Sequence, residues 1–547
     1  MSALGPTARL FADDTEPTLV RLALELGADR TGGPLSPAED ALLAQALTAP
    51  LPSKSIVERI RAAIRGGGDP LGEILCRVRT AGQRRTVGAF YSPPRLVETM
   101  VDWVLARDPR RVVDAGCGSG RFAAEVARRA PTTPVFAIDA DPVATILTRA
   151  VLAMLAAHDA TVLQADYTLW QIPPERGRTA FIGNPPYVRH HDLSREAKRW
   201  AVDAGTRLGQ KVSGLAGLHL HFYLATMLKA RPGDVGCFVT SAEWLDVGYG
   251  SALRALFLDG LGGQALHVVD PTAVTFSDVQ TTAVIACFER DALPSSIRVS
   301  TIASPDALTN LNGGRAVPRS LLAGALRWSA LVRSEVPAVD LGAAVPLGAL
   351  ARVHRGLVTG ANNYFLLDRR RAADLGLLPW CRPAITDGQE ILRADGVIRD
   401  SAERKLLLDV PRGIDRQCFP ALDAYLRTGE QRLGDVPAVA ERYIASRRKP
   451  WWYLGRQAPA PIVASYMARQ APAFALNPDG LALINIGHGL HPVGLMNRAH
   501  LARLCSQLNA NRATFRGQGR TYQGGLEKFE PREMEALRID PAFMTDE

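Results

Sequence analysis

From Arg111 the chain alternates short apolar runs with longer stretches of helical periodicity. The runs are Val112-Val113, Val135 to Ile138, Val162-Leu163 and Ala180 to Gly183, and Phe122 to Ala130 and Val143 to Leu155 fall between them. Parallel strands need a crossover, usually a helix, so this rhythm predicts an α/β domain with a doubly wound, Rossmann-like sheet. The pattern continues through a helix around Phe222 to Ala230, a strand over Val235 to Val239, and apolar runs at Ala265 to Val269 and Thr282 to Phe288. Residues 86–290 are therefore expected to form one domain. Residues 1–85 read as an N-terminal helical segment broken at Gly32-Gly33-Pro34 and Gly66-Gly67-Gly68. Ile56, Ile60, Ala63 and Ile64 recur there at helical spacing and are assigned to packing, with no chemistry. Residues 291–344 mix short apolar pieces with breaks and are expected to be a linker. Residues 345–547 are rich in Arg, Pro and Gly, have weaker periodicity, and read as a separate mixed α/β domain.

Composition narrows the class. A chain of 547 residues is too long for one ordinary core, in keeping with several domains. The net charge of +9 suits a polyanionic partner such as nucleic acid, but also a merely solvated basic surface, and charge alone does not choose. The seven cysteines form no CxxC pair, which implies reduced thiols and a cytoplasmic location. Met1 to Pro17 carries Asp13 and Asp14 without an apolar run, so it is not a signal peptide, and no stretch is apolar enough to cross a bilayer. No zinc-ligand spacing is present, and no metal is expected.

Candidate chemistry begins at Val112-Val113-Asp114-Ala115-Gly116-Cys117-Gly118-Ser119-Gly120, a strand running into a glycine-rich turn and a helix. Gly116, Gly118 and Gly120 let the backbone pass close to a ligand. The second strand ends at Asp139, where a carboxylate suits two ribose hydroxyls, with Asp141 as the nearby competitor. The third leads to Asp166, which could accept from an adenine amino group. A nicotinamide dinucleotide would satisfy the first two features equally, whereas GxGxG in place of GxGxxG leans towards S-adenosylmethionine.

The fourth strand runs into Asn184-Pro185-Pro186-Tyr187. Two prolines fix φ and remove two donors, which holds the Pro185 carbonyl in one direction. With the Asn184 side chain it can accept both hydrogens of an –NH2 group and turn the nitrogen lone pair towards a methyl donor. Tyr187 offers a flat face to a planar substrate. A proline-rich turn closing a strand is the plainer alternative, less favoured once a GxGxG strand precedes it.

These residues resemble the gamma-class N6-adenine DNA methyltransferases of bacterial restriction–modification systems. Asp114 to Gly120 resembles motif I, Asp139 motif II, Asp166 motif III and Asn184 to Tyr187 motif IV. Gly88-Ala89-Phe90-Tyr91-Ser92-Pro93-Pro94 resembles motif X, which implies that Tyr91, Ser92 and Pro93 close over the cofactor; Ser92 replaces a frequent Thr and keeps the hydroxyl. Thr275-Phe276-Ser277-Asp278 resembles motif VIII, which implies that Phe276 helps to hold a flipped base. His354 to Asn362 resembles the start of the family's target-recognition domain, and Tyr522 to Leu526 with Phe529-Glu530-Pro531 its end. The resemblance implies S-adenosylmethionine as cofactor, double-stranded DNA as partner, and protection of DNA beside a separate, cognate restriction endonuclease.

Arg447, Arg448, Lys449, Trp451 and Trp452 form a basic cluster interleaved with aromatics, a composition that suits phosphates and exposed bases and equally a solvated loop beside a packed Trp pair. The sequence also allows two competing functions. One is methylation of a protein glutamine or a ribosomal RNA guanine through the same Asn-Pro-Pro-Tyr motif. The other is a non-catalytic DNA-specificity protein, which need not keep Asp114, Asp139, Asp166 and Asn184 together.

Overall fold

The computed structural model describes residues 15–80, 83, 92–269, 282–304, 308–325, 327–333, 344–432, 434, 436–455, 457–468, 470–515, 518–522 and 526–540. The chain separates into two compact units, Met1–Ser334 and Glu335–Glu547.

The first unit is built on a sheet with nine described strands: β1 Arg111–Ala115, β2 Val135–Asp139, β3 Ala160–Gln164, β4 Thr179–Gly183, β5 Val235–Ser241, β6 Gly263–Val269, β7 Ala283–Glu289, β8 Ser296–Ile302 and β9 Arg315–Pro318. Their spatial order is β3-β2-β1-β4-β5-β7-β6-β8-β9. The first five are parallel, and β7 runs antiparallel to both β5 and β6. Every residue of β1, β4 and β5 is buried, as expected for central strands covered by helices on both faces. The sheet extends past residue 290, so the linker expected over 291–344 is corrected: β8 pairs parallel to β6 and β9 antiparallel to β8. In β8, buried Ile297, Val299 and Ile302 stand among polar neighbours, and a half-covered strand of this kind reads as a broken polar stretch.

The N-terminal segment joins the same unit. Its helices Glu16–Glu25, Pro37–Ala46, Lys54–Arg65 and Pro70–Val78 are capped by the side chains of Thr15, Ser36, Ser53 and Asp69. Val57, Ile60 and Ile64 share a core with Ala124 and with Val143, Ile146, Leu147 and Ala150 of helix Pro142–Met154. Arg149 on that helix is buried and fully used. It pairs with Glu39 at 2.8 Å and donates to the carbonyls of Thr31, Gly33, Pro34 and Val162. The Val162 N–H donates to the Gly32 carbonyl at 2.8 Å, so this loop covers part of the edge of β3.

The second unit is mixed α/β. Strands Ala351–Arg355, Gly487–Pro492, Ile462–Ser465 and Phe474–Leu476 form an antiparallel sheet in that order. A second sheet orders Leu366–Leu367, Leu406–Leu408, Cys381–Ile385 and Ala482–Leu483. Strands of two to six residues, the first of them paired with a strand more than a hundred residues away, leave little periodicity in a linear sequence.

Candidate active site

Strand order fixes where a site forms. β1 lies between β2 and β4, so the carboxyl ends of β1 and β4 flank the point at which the winding direction reverses, where open α/β sheets bind ligands. The glycine-rich turn follows β1 and the Asn-Pro-Pro-Tyr turn follows β4. Gly116, Gly118 and Gly120 all have positive φ (73°, 56° and 86°), which the turn requires and L side chains resist. A Cβ on Gly118 would meet nothing within 4 Å, so the backbone there is open to a ligand. The two turns are pressed together: a Cβ on Gly183, where φ is 152°, would lie 2.5 Å from the Ala115 carbonyl oxygen, and one on Gly116 would lie 3.6 Å from Pro186 Cδ.

The three carboxylates differ in what they already hold. Asp114 is fully buried. Its Oδ2 accepts from the Ala123 N–H at 2.9 Å, and among the described residues Oδ1 has no hydrogen-bond partner. Burial pushes its carboxyl up to about 7. Asp139 closes β2, where Oδ2 accepts from Gly118 N–H at 2.9 Å and Oδ1 from Asp141 N–H at 3.0 Å; burial raises its carboxyl against those bonds. Asp141, its competitor, is committed elsewhere: it accepts from Val143 N–H at 3.0 Å as a helix cap, and it pairs with Arg79 of the N-terminal segment. Asp166 is exposed, and its Oδ1 accepts from the Thr168 N–H at 2.8 Å and hydroxyl at 2.7 Å.

Asn184 Nδ2 donates to Ser92 Oγ at 3.1 Å. The hydroxyl of the expected motif X thus meets the amide of the expected motif IV, and the amide's donor end is fixed. Pro93 caps helix Pro94–Leu105. Pro185 is buried, whereas Pro186 and Tyr187 are half-buried, and burial raises the Tyr187 hydroxyl above its ordinary range. Tyr91 and Phe276 lie outside the described residues.

Several side chains near this place carried no sequence signal. Asp69, in the segment assigned no chemistry, accepts from the Ser119 hydroxyl of the glycine turn at 2.7 Å and lies 3.7 Å from Arg121 Nε. Thr148 Oγ1 donates to the Gly118 carbonyl at 2.9 Å. Phe222 stacks on Tyr167 at 5.0 Å, and His219 and His221 are buried and held down to about 4 by desolvation. The helical pattern marks their helix, Leu218–Lys229, but not which positions face inward on each side.

In the second unit the basic–aromatic cluster divides. Arg447 and Lys449 are exposed, with the Arg447 guanidinium 4.1 Å from the Tyr443 ring. Arg448 turns inward and donates to the carbonyls of Val358 and Thr359. Trp451 packs against Tyr364, Phe365 and Trp452 and donates to Glu430 at 3.1 Å, and Arg416 lies over Trp452 at 5.2 Å. A cleft of about 600 Å³ opens beside the Thr359–Tyr364 turn, lined by Arg371, Arg442, Asn362 and Asn485 among others and by no carboxylate. Among the described residues no helix is long and apolar enough to cross a membrane, and no group of His, Cys, Asp or Glu side chains could hold a metal ion.

Residues 338–547 match the family described as type II methyltransferase M.Eco57I, C-terminal domain, and residues 96–211 match the methyltransferase small domain. The chain is 41% identical to type II methyltransferase M.XamI of Xanthomonas campestris pv. amaranthicola, over 96% of this chain and 98% of that one. It is 21% identical to type II methyltransferase M.AccI of Acinetobacter calcoaceticus, over 82% of this chain and 85% of the other. Its fold is similar to that of the type IIL restriction–modification enzyme MmeI in complex with DNA, with a TM-score of 0.56 and 14% identity, covering 93% of this chain and 77% of that one. The chain belongs to the type II methyltransferases of restriction–modification systems, a family of DNA methyltransferases.

Proposed function

We propose that this protein transfers a methyl group from S-adenosylmethionine to the N6 amino group of an adenine flipped out of duplex DNA. The Asn184 amide carries this reading. Its nitrogen is held by Ser92, so Oδ1 is the end presented to a substrate. Oδ1 and the Pro185 carbonyl then accept the two N6 hydrogens, draw the lone pair out of conjugation with the ring, and direct it at the incoming carbon. Tyr187, with Phe276, supplies a stacking face that offsets part of the unstacking cost of a few kcal/mol.

The residues fit the cofactor. Asp114 presents a buried oxygen without a partner among the described residues, and Gly118 leaves open space beside the turn. Asp139 stands at the strand end, whereas Asp141 is spent on a cap and an ion pair. Asp139 would hold the ribose hydroxyls, Asp166 the adenine amino group, and Gly116, Gly118 and Gly120 the close backbone approach, with Tyr91, Ser92 and Pro93 closing over the methionine end. S-adenosylmethionine supplies a methyl group activated by a sulfonium leaving group, so position and electrostatics are left to the protein.

The second unit is assigned to target recognition. Arg447 and Lys449, together with the Arg371–Arg442 cleft, are the outward-facing groups suited to phosphates and base edges, whereas Arg448, Trp451 and Trp452 support the fold behind them. A cognate restriction endonuclease is the partner against which such methylation protects. The similarity to M.XamI spans the second unit as well as the first, which disfavours a protein-glutamine or ribosomal-RNA substrate.

Purified protein incubated with tritiated S-adenosylmethionine and DNA of mixed sequence tests the proposal, by nucleoside analysis of the product. N6-methyladenine is expected. N4-methylcytosine would overturn the adenine assignment, and unmodified DNA with a methylated release factor or ribosomal RNA would overturn the DNA reading.

A further inference from the structure

The N-terminal segment reaches the active site through one short chain of polar contacts. Asp69 is buried, and each of its oxygens is engaged: Oδ1 accepts from Gly72 N–H at 2.9 Å, and Oδ2 accepts from Ser119 Oγ at 2.7 Å and faces Arg121 Nε at 3.7 Å. Arg121 in turn donates to the Ser92 backbone carbonyl. Ser92 Oγ accepts from Asn184 Nδ2 at 3.1 Å. The fit is close at the outer end. A Cβ on Gly72 would lie 2.2 Å from Asp69 Oδ2 and 2.6 Å from Ser119 Oγ, so only glycine lets this helix start against the turn.

We infer that Asp69 is a positioning residue for methyl transfer: through Arg121 and Ser92 it sets the orientation of the Asn184 amide, which makes the N-terminal segment part of the catalytic apparatus. The inference rests on the proposed role of Asn184. A lone arginine able to swing between partners would hold the Ser92 carbonyl loosely. The Asp69 carboxylate, 3.7 Å from Arg121 Nε, holds the guanidinium by charge rather than by a hydrogen bond, and a buried ion pair is costly to break. Ser119 ties the same carboxylate to the glycine turn, so the turn that faces the methyl donor and the amide that faces the acceptor share one anchor. Reacting groups must be held to within a fraction of an ångström for the full benefit of proximity.

Helix capping is the competing role for Asp69, and one substitution separates the two. Asp69→Asn retains an acceptor for Gly72 N–H and caps about as well, but removes the charge that Arg121 faces. With S-adenosylmethionine and DNA saturating, its single-turnover methylation rate should fall about tenfold while the cofactor Kd measured by calorimetry stays within about twofold and circular dichroism shows the same fold. Ser92→Ala should lose rate similarly, and the double variant should be no slower than the slower single one, because both break one chain. Gly72→Ala, which displaces the same carboxylate, is the second variant should Asp69→Asn fail to fold. A wild-type rate in a folded variant, a loss confined to cofactor affinity, or additive losses in the double variant would each overturn the inference. Asn184→Ala run in parallel keeps the readings apart: activity retained there ends the proposed role of Asn184, whereas a wild-type rate in Asp69→Asn alone ends only the relay.

Discussion

The turn after β4 and the loop at Arg447 to Trp452 were both singled out by residue type, and they turn out to be different kinds of object. In the first, each residue has its place because the backbone has no alternative: Gly183 is needed beside Ala115, Pro186 lies against Gly116, and Asn184 is gripped by Ser92. In the second, residues adjacent in sequence face opposite ways, with Arg447 outward, Arg448 into two carbonyls and Trp451 into a cluster of aromatics. A motif that constrains the main chain can be read from a string of letters. A cluster defined by side-chain chemistry cannot, because direction is set by the surrounding fold.

That contrast can be broken by mutation, beginning with the largest effect. Asn184→Ala should lower the rate of methyl transfer on the order of 10²–10³-fold, the scale for losing one preorganised polar group, with cofactor affinity nearly intact by calorimetry; activity near wild type would remove the sharpest point of the comparison. Asp139→Ala should weaken S-adenosylmethionine binding by about 1.5–3 kcal/mol for each charge-assisted hydrogen bond lost. Asp141→Ala should leave affinity alone and lower the melting temperature, since a cap and an ion pair go. In the loop, Arg448→Ala should cost about 1–3 kcal/mol of stability by chemical denaturation, because two carbonyls lose their donor. Arg447→Ala should instead leave stability unchanged and reduce the slope of log affinity against log salt by about 1. If those two results were exchanged, the inward and outward assignments would be wrong.

A buried carboxylate adds a pH-dependent test of the first region. Asp114 has a folded-state carboxyl near 7, above the unfolded value of about 3.9. The native state therefore binds the extra proton in that window, and the stabilisation is complete below about pH 4 and lost as pH rises through 7. Without cofactor, the melting temperature should decline from pH 5 to pH 8, and Asp114→Asn should flatten the decline.

Legibility followed physical constraint. Strands β1 to β7 and helices Arg121–Arg129, Pro142–Met154 and Leu218–Lys229 stand out in the sequence because buried central strands are continuous apolar runs and these helices carry a 3.6-residue stripe, whereas helices Pro94–Leu105, Arg195–Arg207 and Ser251–Leu258 are not among the elements the sequence predicts. Strands β8 and β9 do not stand out, since Ser296–Ile302 is buried only at alternate and outer positions. The place of Asp139 at a strand end is legible in the sequence, but only the structure shows Asp141 occupied by Arg79, a contact spanning 62 residues. Asp69 could not have been found from its surroundings in sequence: an Asp before a Pro reads as a helix cap, which it is, and nothing local indicates that its second oxygen reaches Ser119.

The Arg149–Glu39 pair has a consequence for synthesis. Glu39 is completely buried, and its partner lies 110 residues further along the chain. At roughly 5–20 residues per second, the ribosome makes that partner about 5–20 s later. Until then the N-terminal helices have neither the cation that neutralises Glu39 nor the helix surface that completes their core, and a carboxylate sealed away without a counter-charge is strongly disfavoured. Residues 15–80 are therefore expected to finish packing only after residues 142–162 have appeared.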